Sequence, residues 1–316
     1  MKVLYIMSWG RSGSTLLDNL LGEVPGFFSA GELHRLWERG LLQNSRCGCG
    51  LEVSRCPVWK EVVHRVGVDA QRSGFVPEPR TIANYRADTL RVRNTRRLLR
   101  LARQTDLDHD LAWYVTTVSS LYRNVAEVTG ATVIVDSTKS PADAAILRAV
   151  SGVEPFFIHL VRDPRAVAHS WQRERLLTDL SQPRPMVRHP PAGSTMSWLA
   201  WNLGAESVRR AYPAGTSMLV RYEDFVSEPK STIQEIIGLL DEPDRELSFL
   251  QGFTAKLEVN HTVSGNPSRY AVGSVELRAD TEWTRELPSR DRALATAIAL
   301  PLLRRYGYSV RGHGIS

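Results

Sequence analysis

The chain has 316 residues, of which 42% are hydrophobic and 23% charged, a balance typical of a globular protein rather than a disordered or fibrous one. No apolar run reaches the roughly 20 residues that span a bilayer, and the N-terminus lacks a signal-peptide cleavage site, so we expect a cytoplasmic protein without membrane insertion. The formal net charge of +6 permits anionic partners. Because no nucleic-acid-binding signature occurs, a polyanionic small molecule is the expected partner, rather than nucleic acid.

Four short apolar segments, rich in β-branched or aromatic residues, predict buried strands separated by helical patterns. They are residues 3–9, 132–136, 156–161 and 217–222. Apolar strands that alternate with helices predict an α/β fold of the P-loop type, with a central parallel sheet covered on both faces. Ligands of such sheets bind beyond the carboxyl ends of the strands. No linker divides the chain, so we expect a single domain over residues 1–316.

The first predicted strand runs into a turn, "GRSGST", that leads into a helix. Its glycines let the backbone bend, and the N–H groups at the start of the helix favour an anion. The lysine of an ATP- or GTP-binding loop is missing, and an arginine supplies a permanent positive charge instead. The turn therefore predicts a phosphate-type site formed by Arg11, Ser12, Gly13, Ser14 and Thr15.

The three cysteines, Cys47, Cys49 and Cys56, lie in one short Gly-containing stretch. Their odd number argues against a secreted disulfide framework. One interpretation is a metal site with His34 or His64 as the fourth ligand. The Cys-x-Cys spacing differs from the Cys-x-x-Cys of a zinc knuckle, so small buried thiols in a tight loop are the favoured interpretation.

A second anion site is predicted after the third strand. Arg162 follows that strand directly, and Asp163 and Pro164 suit the first positions of a helix. Ser170 lies eight positions after Arg162, two turns into the same helix. The two side chains can therefore clamp one phosphate from two sides, although for this motif alone an Arg-Asp turn with a surface serine is an equal interpretation.

Two regions are expected to select a substrate. Residues 60–130 are predicted to be helical, and residues 86–103 within them carry seven arginines. These arginines form either a cap that attracts an anionic substrate or a solvated basic face, and the solvated face is the favoured interpretation. Residues 176–194 are rich in Pro, Arg and Ser and predict a long binding loop or lid. The stretch "WLAWN" (198–202) on the following helix either lines a cleft or, as favoured, packs in the core.

Taken together, these motifs resemble those of sulfotransferases that use 3′-phosphoadenosine-5′-phosphosulfate (PAPS). "GRSGSTLL" is similar to the 5′-phosphosulfate loop of that family, and "RDPRAVAHS" to its 3′-phosphate motif, with Arg162 and Ser170 at the matching positions. "LVRYEDFVSEP" (219–229) resembles a strand and turn typical of the family. "HTVSGNPSRY" (261–270) resembles the late loop that closes over the nucleotide, which implies that Asn266 and Arg269 lie near it.

The resemblance implies sulfuryl transfer from PAPS to a hydroxyl of a small-molecule, lipid or carbohydrate acceptor, with adenosine 3′,5′-bisphosphate (PAP) as product and no metal required. Glu32 stands where the tyrosylprotein branch has its catalytic glutamate, and is assigned as general base, a role that also requires a raised pKa; His34 is the second candidate. Lys139 matches a lysine that contacts the sulfate or the bridging oxygen, and it would neutralise the leaving phosphate together with Arg11. The phenol-type branch usually has a histidine after the second strand, but residues 135–143 contain none, which favours Glu32.

Two other interpretations remain at this stage. A nucleotide kinase or NTPase of the same fold requires the missing lysine and a Mg²⁺-binding aspartate, for which Asp136 is available. A non-catalytic nucleotide-binding protein would leave Glu32 and Lys139 without a task. No motif identifies the acceptor, and the sequence is compatible with a homo-oligomer.

Overall fold

The computed structural model describes residues 1–72, 78–180, 182–242 and 245–310. Residues 73–77, inside the predicted region 60–130, and residue 181, inside the predicted loop 176–194, lie outside the described residues.

The described strands are β1 (Lys2–Met7), β2 (Phe27–Gly31), β3 (Val133–Lys139), β4 (Glu154–Val161), β5 (Leu176–Leu177), β6 (Arg184–Pro185), β7 (Ser217–Arg221), β8 (Leu250–Gln251), β9 (Thr254–Leu257) and β10 (Gly273–Glu276). The α-helices are α1 (Ser14–Gly22), α2 (Pro57–Arg72), α3 (Pro79–Thr89), α4 (Thr95–Leu101), α5 (His109–Thr129), α6 (Pro141–Ile146), α7 (Pro164–Gln172), α8 (Pro191–Ala211), α9 (Tyr222–Ser227), α10 (Pro229–Leu239), α11 (Trp283–Glu286) and α12 (Ser289–Arg305). Short 3₁₀ turns cover Val92–Asn94, Leu147–Ala149 and Pro267–Tyr270, and a π-helical segment covers Leu36–Leu42.

Within the described residues, the main sheet has the strand order β2-β3-β1-β4-β7, and every neighbouring pair is parallel. The predicted α/β fold with a central parallel sheet is therefore confirmed. All four predicted strands are present, although β1 ends at Met7 and β3 extends to Lys139. The edge strand β2 is the addition that the sequence patterns did not predict. Parallel pairing places the carboxyl ends of all these strands at one edge of the sheet, where the candidate residues lie.

Both faces of the sheet are buried. Along β1, Val3, Tyr5 and Met7 contribute to one core, whereas Leu4 and Ile6 contribute to another. Because successive side chains of a strand point to opposite faces, this alternation places one apolar layer on each side of the sheet. The first core includes residues of α2 and α5, and the second includes residues of α1 and α10. The arrangement has three layers, as the continuous apolar strands indicated.

The predicted helical region 60–130 forms four helices, α2 to α5, between β2 and β3. Helix α2 packs against α5, and Tyr114 and Leu121 of α5 belong to the core on that face. None of the helices in the described ranges combines the length and the apolar character that crossing a membrane requires.

Candidate active site

The turn between β1 and α1 has the backbone of an anion-binding loop. Gly13 is the N-cap of α1, with φ of +89°, and Arg11 also has a positive φ, of +70°. A Cβ at Gly13 would lie 2.3 Å from Cδ2 of Tyr222, so glycine is required there by both backbone conformation and space. Helix α1 begins at Ser14, so its first N–H groups and its dipole are directed at the turn.

Arg11 lies over this turn without an acidic partner for its buried donors. Its guanidinium carbon is 5.0 Å from the ring centroid of Trp171, and Nη2 lies 3.3 Å from Sδ of Met186. Its Nε and Nη1 and the Oγ of Ser12 are buried and have no hydrogen-bond partner among the described residues. Burial, together with the nearby positive charge of Arg175, lowers the pKa of Arg11 to about 10. These buried donors are therefore available to a ligand, since buried polar groups in proteins are normally hydrogen-bonded.

Arg162 reaches the same turn from the end of β4. Its Nη1 donates to the backbone oxygen of Arg11 at 3.1 Å, its Nη2 lies 3.1 Å from Oδ2 of Asp280, and its guanidinium carbon is 4.5 Å from the ring centroid of Tyr222. Its Nε is buried and has no hydrogen-bond partner in the part of the chain that the structure describes. Ser170 is buried on α7, the helix that follows Arg162. The structure thus brings Arg162 to the anion-binding turn.

Two further arginines, Arg173 and Arg175, belong to the same positive cluster, although the sequence interpretation did not assign them. Burial lowers the pKa of Arg175, and Arg173 and Arg162 add to this because they are like-charged neighbours; Asp280 acts in the opposite direction. Arg175 also lowers the pKa of Arg11. Arg173 and Arg175 belong to the stretch "WQRER", which directly follows the motif "RDPRAVAHS". That position was the only sequence signal for their place near Arg162. Arg173 is paired with Asp280 and Glu282, so a bound polyanion would mainly relieve the repulsion between Arg11 and Arg175.

Glu32 and Lys139 form a close ion pair at the same edge of the sheet. Glu32 follows β2 and its N–H donates to the Ser264 oxygen at 3.2 Å, while Lys139 is the last residue of β3. Nζ of Lys139 lies 2.5 Å from Oε1 of Glu32. Burial alone would raise the pKa of Glu32, but the charges of Lys139 and Arg35 outweigh it, and the pKa is below its usual value. The raised pKa expected for a general base is thus not found while Lys139 is paired with Glu32.

His34 lies two residues after Glu32 and contacts β3. Its Nδ1 is 3.2 Å from Oγ1 of Thr138. Burial and the nearby charges of Arg86 and Arg35 lower its pKa well below the usual value, so the imidazole is neutral near pH 7. It borders a crevice of about 30 Å³ whose lining includes Trp37, Tyr114 and Val118.

The late loop (residues 261–270) lies against the anion-binding turn through Asn266, whereas Arg269 points into the protein. The backbone N–H of Asn266 donates to Oγ1 of Thr15 at 3.4 Å, so Asn266 borders the turn. The guanidinium of Arg269 is buried and donates to the backbone oxygens of Thr262 and Arg46, at 2.5 and 2.6 Å. In this conformation Arg269 holds two loops together, and a direct contact with a nucleotide stays a prediction.

The three cysteines lie together with a histidine that the sequence interpretation did not consider. Cys47 and Cys56 are buried, as the packing interpretation expected, but His261 lies beside both of them. The two histidines that were considered lie elsewhere: His34 contacts β3, and His64 is exposed on α2.

The remaining candidates are occupied by structural contacts. Asp136, the aspartate that a kinase would need for Mg²⁺, accepts hydrogen bonds from Tyr122 Oη on one oxygen, at 2.6 Å, and from the N–H of Thr138 on the other, at 2.8 Å. Trp198 is fully buried and donates to the backbone oxygen of Arg162, and the side-chain amide of Asn202 bonds to Trp198 and His159, which agrees with core packing. Six arginines of residues 86–103 are exposed, which agrees with the solvated basic face: Arg91, Arg93, Arg96, Arg97, Arg100 and Arg103.

An α/β fold that combines a strand–turn–helix anion site, an arginine cluster and a Glu–Lys pair at one sheet edge is typical of enzymes that transfer a charged group. The model of the sulfotransferase family matches residues 4–246, and the chain belongs to that family. Two solved structures share the fold, at low sequence identity. The chain is similar to the sulfotransferase domain from the curacin biosynthetic pathway, with 18% identity, a TM-score of 0.54 and coverage of 98% of each chain.

The second is the sulfotransferase domain of the olefin synthase from Synechococcus PCC 7002, with 20% identity and a TM-score of 0.50. That comparison covers 98% of this chain and 95% of the other. No curated protein matches the chain significantly.

Proposed function

We propose that the protein transfers the sulfuryl group of PAPS to a hydroxyl of a small-molecule, lipid or carbohydrate acceptor. The observation that supports this most directly is the set of buried donors without partners at the anion-binding turn, on Arg11, Ser12 and Arg162. A donor with a 5′-phosphosulfate and a 3′-phosphate carries enough negative charge to satisfy them and to offset the repulsion within the arginine cluster.

Each part of the donor has residues of suitable chemistry. In this proposal the N–H groups and hydroxyls of residues 12–15, with Arg11, bind the 5′-phosphosulfate, because a helix N-terminus and a guanidinium both favour tetrahedral anions. Arg162 and Ser170 bind the 3′-phosphate, and the late loop with Asn266 covers the nucleotide. This assignment uses the arginine and hydroxyl donors as they are placed and needs no metal for the donor's charge.

In the transfer step, an oxygen of the acceptor hydroxyl forms a bond to sulfur while the bond from sulfur to the bridging oxygen of the donor breaks. Glu32 accepts the hydroxyl proton, and Lys139 and Arg11 stabilise the charge that develops on the leaving phosphate of PAP. The ion pair between Glu32 and Lys139 fits this exchange. When Lys139 turns to the donor, it removes the main attraction that keeps the pKa of Glu32 low, and the carboxylate becomes a stronger base.

The acceptor is expected to approach from the side of α5. The crevice lined by Trp37, Tyr114 and Val118 lies beside Glu32 in sequence and space, since Leu33 and His34 also line it. Helix α5 of the region 60–130 therefore forms part of its wall, which supports the proposed role of that region in acceptor selection. At about 30 Å³ the crevice must widen to admit an acceptor, and its aromatic lining favours one with an apolar portion next to its hydroxyl.

The donor proposal is tested by measuring the dissociation constants of PAP and of ATP with Mg²⁺ by calorimetry. We expect PAP to bind and raise the melting temperature, and ATP with Mg²⁺ to do neither. Arg162→Ala should weaken PAP binding by about tenfold to a hundredfold, because a charge-assisted hydrogen bond contributes about 1.5–3 kcal/mol.

Arg97→Ala is the matched control, since it removes the same charge from an exposed position on α4. Stabilisation by ATP with Mg²⁺ alone would contradict the proposal, as would an Arg162→Ala protein that binds PAP no differently from Arg97→Ala. Incubating the protein with labelled PAPS and a panel of alcohols, phenols and sugars would then identify the acceptor class.

A further inference from the structure

Outside the proposed donor site, the structure brings four potential metal ligands into one cluster. The Cys-His cluster consists of Cys47, Cys49, Cys56 and His261, and its ligand atoms all lie within 4.8 Å of one another. Nδ1 of His261 is 3.2 Å from Sγ of Cys56 and 3.8 Å from Sγ of Cys47. The cysteines are free thiols, with Cys47 and Cys56 buried and Cys49 partly exposed.

These separations suit a tetrahedral zinc ion. With Zn–S bonds of about 2.3 Å and a Zn–N bond of about 2.0 Å, the sulfurs of a tetrahedral site are about 3.8 Å apart and each lies about 3.5 Å from the nitrogen. The two measured S–N distances fall on either side of that value. Three cysteines and one histidine are also a common ligand set of structural zinc sites, which are closed by four protein ligands.

The backbone of the cysteine loop is folded around the sulfurs. The N–H of Cys47 donates to the oxygen of Leu51 at 2.7 Å, and the N–H of Gly50 to the oxygen of Cys47 at 2.9 Å, which closes a tight turn. These hydrogen bonds fix the backbone that carries Cys47 and Cys49.

The histidine is held in place by independent contacts. Nε1 of Trp59 donates to the backbone oxygen of His261 at 2.6 Å, and the N–H of Gly48 donates to the oxygen of Thr262 at 2.9 Å. A Cβ at Gly48 would lie 1.9 Å from Oδ1 of Asn260, so the close approach of the two segments requires glycine. The fourth ligand is thus fixed by the fold against a loop more than two hundred residues earlier in the chain.

We infer that the Cys-His cluster is a structural zinc site that fastens the cysteine loop to the start of the late loop. A closed site with four protein ligands has no open position for substrate, so the ion takes no part in the transfer step. The ion instead holds the start of the late loop in place. Directly after His261, the N–H of Val263 bonds to the oxygen of Ala30, and the oxygen of Ser264 accepts from Glu32.

The consequence for the donor site rests on the proposed function. The late loop borders the anion-binding turn through Asn266 and Thr15, and Arg269 ties it to Arg46 in the cysteine loop. Fixing one end of this loop reduces the conformational freedom that nucleotide binding would otherwise remove, which favours PAP binding. Loss of zinc should therefore weaken PAP binding while the anion-binding turn itself stays intact.

The site is tested first on the wild-type protein, prepared without a histidine tag. Elemental analysis should find about one equivalent of zinc per chain and neither iron nor copper in comparable amount. Replacing zinc with Co²⁺ under reducing conditions should give the visible bands of tetrahedral cobalt and a thiolate-to-cobalt charge-transfer band. A folded protein that holds no zinc and gives no thiolate–cobalt band, or that carries a disulfide between Cys47 and Cys56, would overturn the inference.

Variants locate the ligands. Cys56→Ser should lose the zinc and the charge-transfer band, and Cys49→Ser, at the least buried cysteine, should weaken zinc binding measurably with the fold retained. His64→Ala, an exposed histidine on α2, is the matched control and should keep one equivalent. Retention of full zinc content and affinity by both serine variants would place the metal elsewhere and refute the site.

The positional role has its own readout. Removing zinc from the wild type with a strong chelator should lower PAP affinity severalfold, and adding zinc back should restore it. Unchanged PAP affinity in a zinc-free protein would refute the positional role. Failure of the zinc-loaded protein to bind PAP at all would instead count against the proposed function, because metal analysis and cobalt spectra judge the zinc site independently.

Discussion

Replacing Arg11 with methionine should stabilise the ligand-free protein and weaken its binding of PAP. Methionine keeps most of the aliphatic contact with Trp171 but removes the charge and the two buried donors that have no partner among the described residues. The same side chain would thus have opposite effects on folding and on ligand binding. This is expected where a site keeps charge in place for a ligand that is absent.

The magnitude follows from the pKa of Arg11, which burial and Arg175 lower to about 10. The guanidinium remains charged in the folded and unfolded states at any pH well below that value, so the cost of keeping it charged is present throughout the neutral range. A decrease of this size corresponds to about 3 kcal/mol. Solvent reaches part of the side chain, and the cation–π contact with Trp171 is lost on substitution, so we expect a net gain of about 1–2 kcal/mol in the free energy of unfolding.

The assay is urea unfolding of the ligand-free protein together with calorimetric titration of PAP. Arg11→Met should unfold at higher urea with an unchanged dependence on urea concentration, and it should bind PAP at least about tenfold more weakly. Arg97→Met, at an exposed position, is the control and should change neither quantity appreciably. An Arg11→Met protein that is less stable than the wild type, or that binds PAP with wild-type affinity, would refute the reasoning.

Three other substitutions test the candidate base, a buried carboxylate on α1 and the anion-binding turn. Glu32→Gln should lower sulfuryl transfer by about 10²- to 10⁴-fold and leave PAP affinity nearly unchanged, measured by turnover and calorimetry, and full turnover would remove Glu32 from its role. Burial raises the pKa of Asp18 to about 7, so the folded state holds the proton more tightly and its stability falls as pH rises from about 4 to 7. The free energy of unfolding of Asp18→Asn, measured in urea, should therefore equal that of the wild type near pH 4 and exceed it at pH 8 by up to about 4 kcal/mol. A lower free energy of unfolding than the wild type at pH 8 would contradict this. Gly13→Ala should lose about 1–3 kcal/mol of stability and bind PAP poorly, because its φ is +89° and its Cβ would meet Tyr222, and a wild-type melting temperature would show that the turn can relax.

The sheet and the anion-binding turn could be predicted because their signals are local. A continuous apolar run such as residues 156–161 can be buried on both faces only in a covered parallel sheet. Few other backbone conformations would require a glycine where this turn has Gly13, so the sequence points to the turn directly. Arg162 was predictable for the same reason, since it follows a strand whose carboxyl end must lie at the ligand edge of the sheet.

Features that depend on distant segments could not be predicted. Strand β2 is short and includes a serine and a glycine, and its pairing with β3 is formed between residues more than one hundred positions apart. His261 joins the cysteines only because the late loop returns past the end of β2, and nothing in the cysteine stretch indicates which histidine will arrive. The low pKa of Glu32 likewise depends on Lys139, which is 107 positions away.

The surroundings of Arg11 and Arg162 leave some guanidinium donors without a partner among the described residues, although Arg162 also pairs with Asp280. A carboxylate partner would satisfy a guanidinium fully, but it would also compete with a phosphate for the same donors. Both arginines lie over aromatic rings, Arg11 over Trp171 and Arg162 over Tyr222. A ring face attracts the cation by about 0.5–2 kcal/mol and leaves the N–H groups at the edge of the guanidinium plane free to donate. Arg162 has an acidic neighbour in Asp280, yet its Nε still has no partner among the described residues. Aromatic support therefore fixes the arginines in position, and the N–H groups that they keep available are the ones that bind the phosphosulfate in the proposed function.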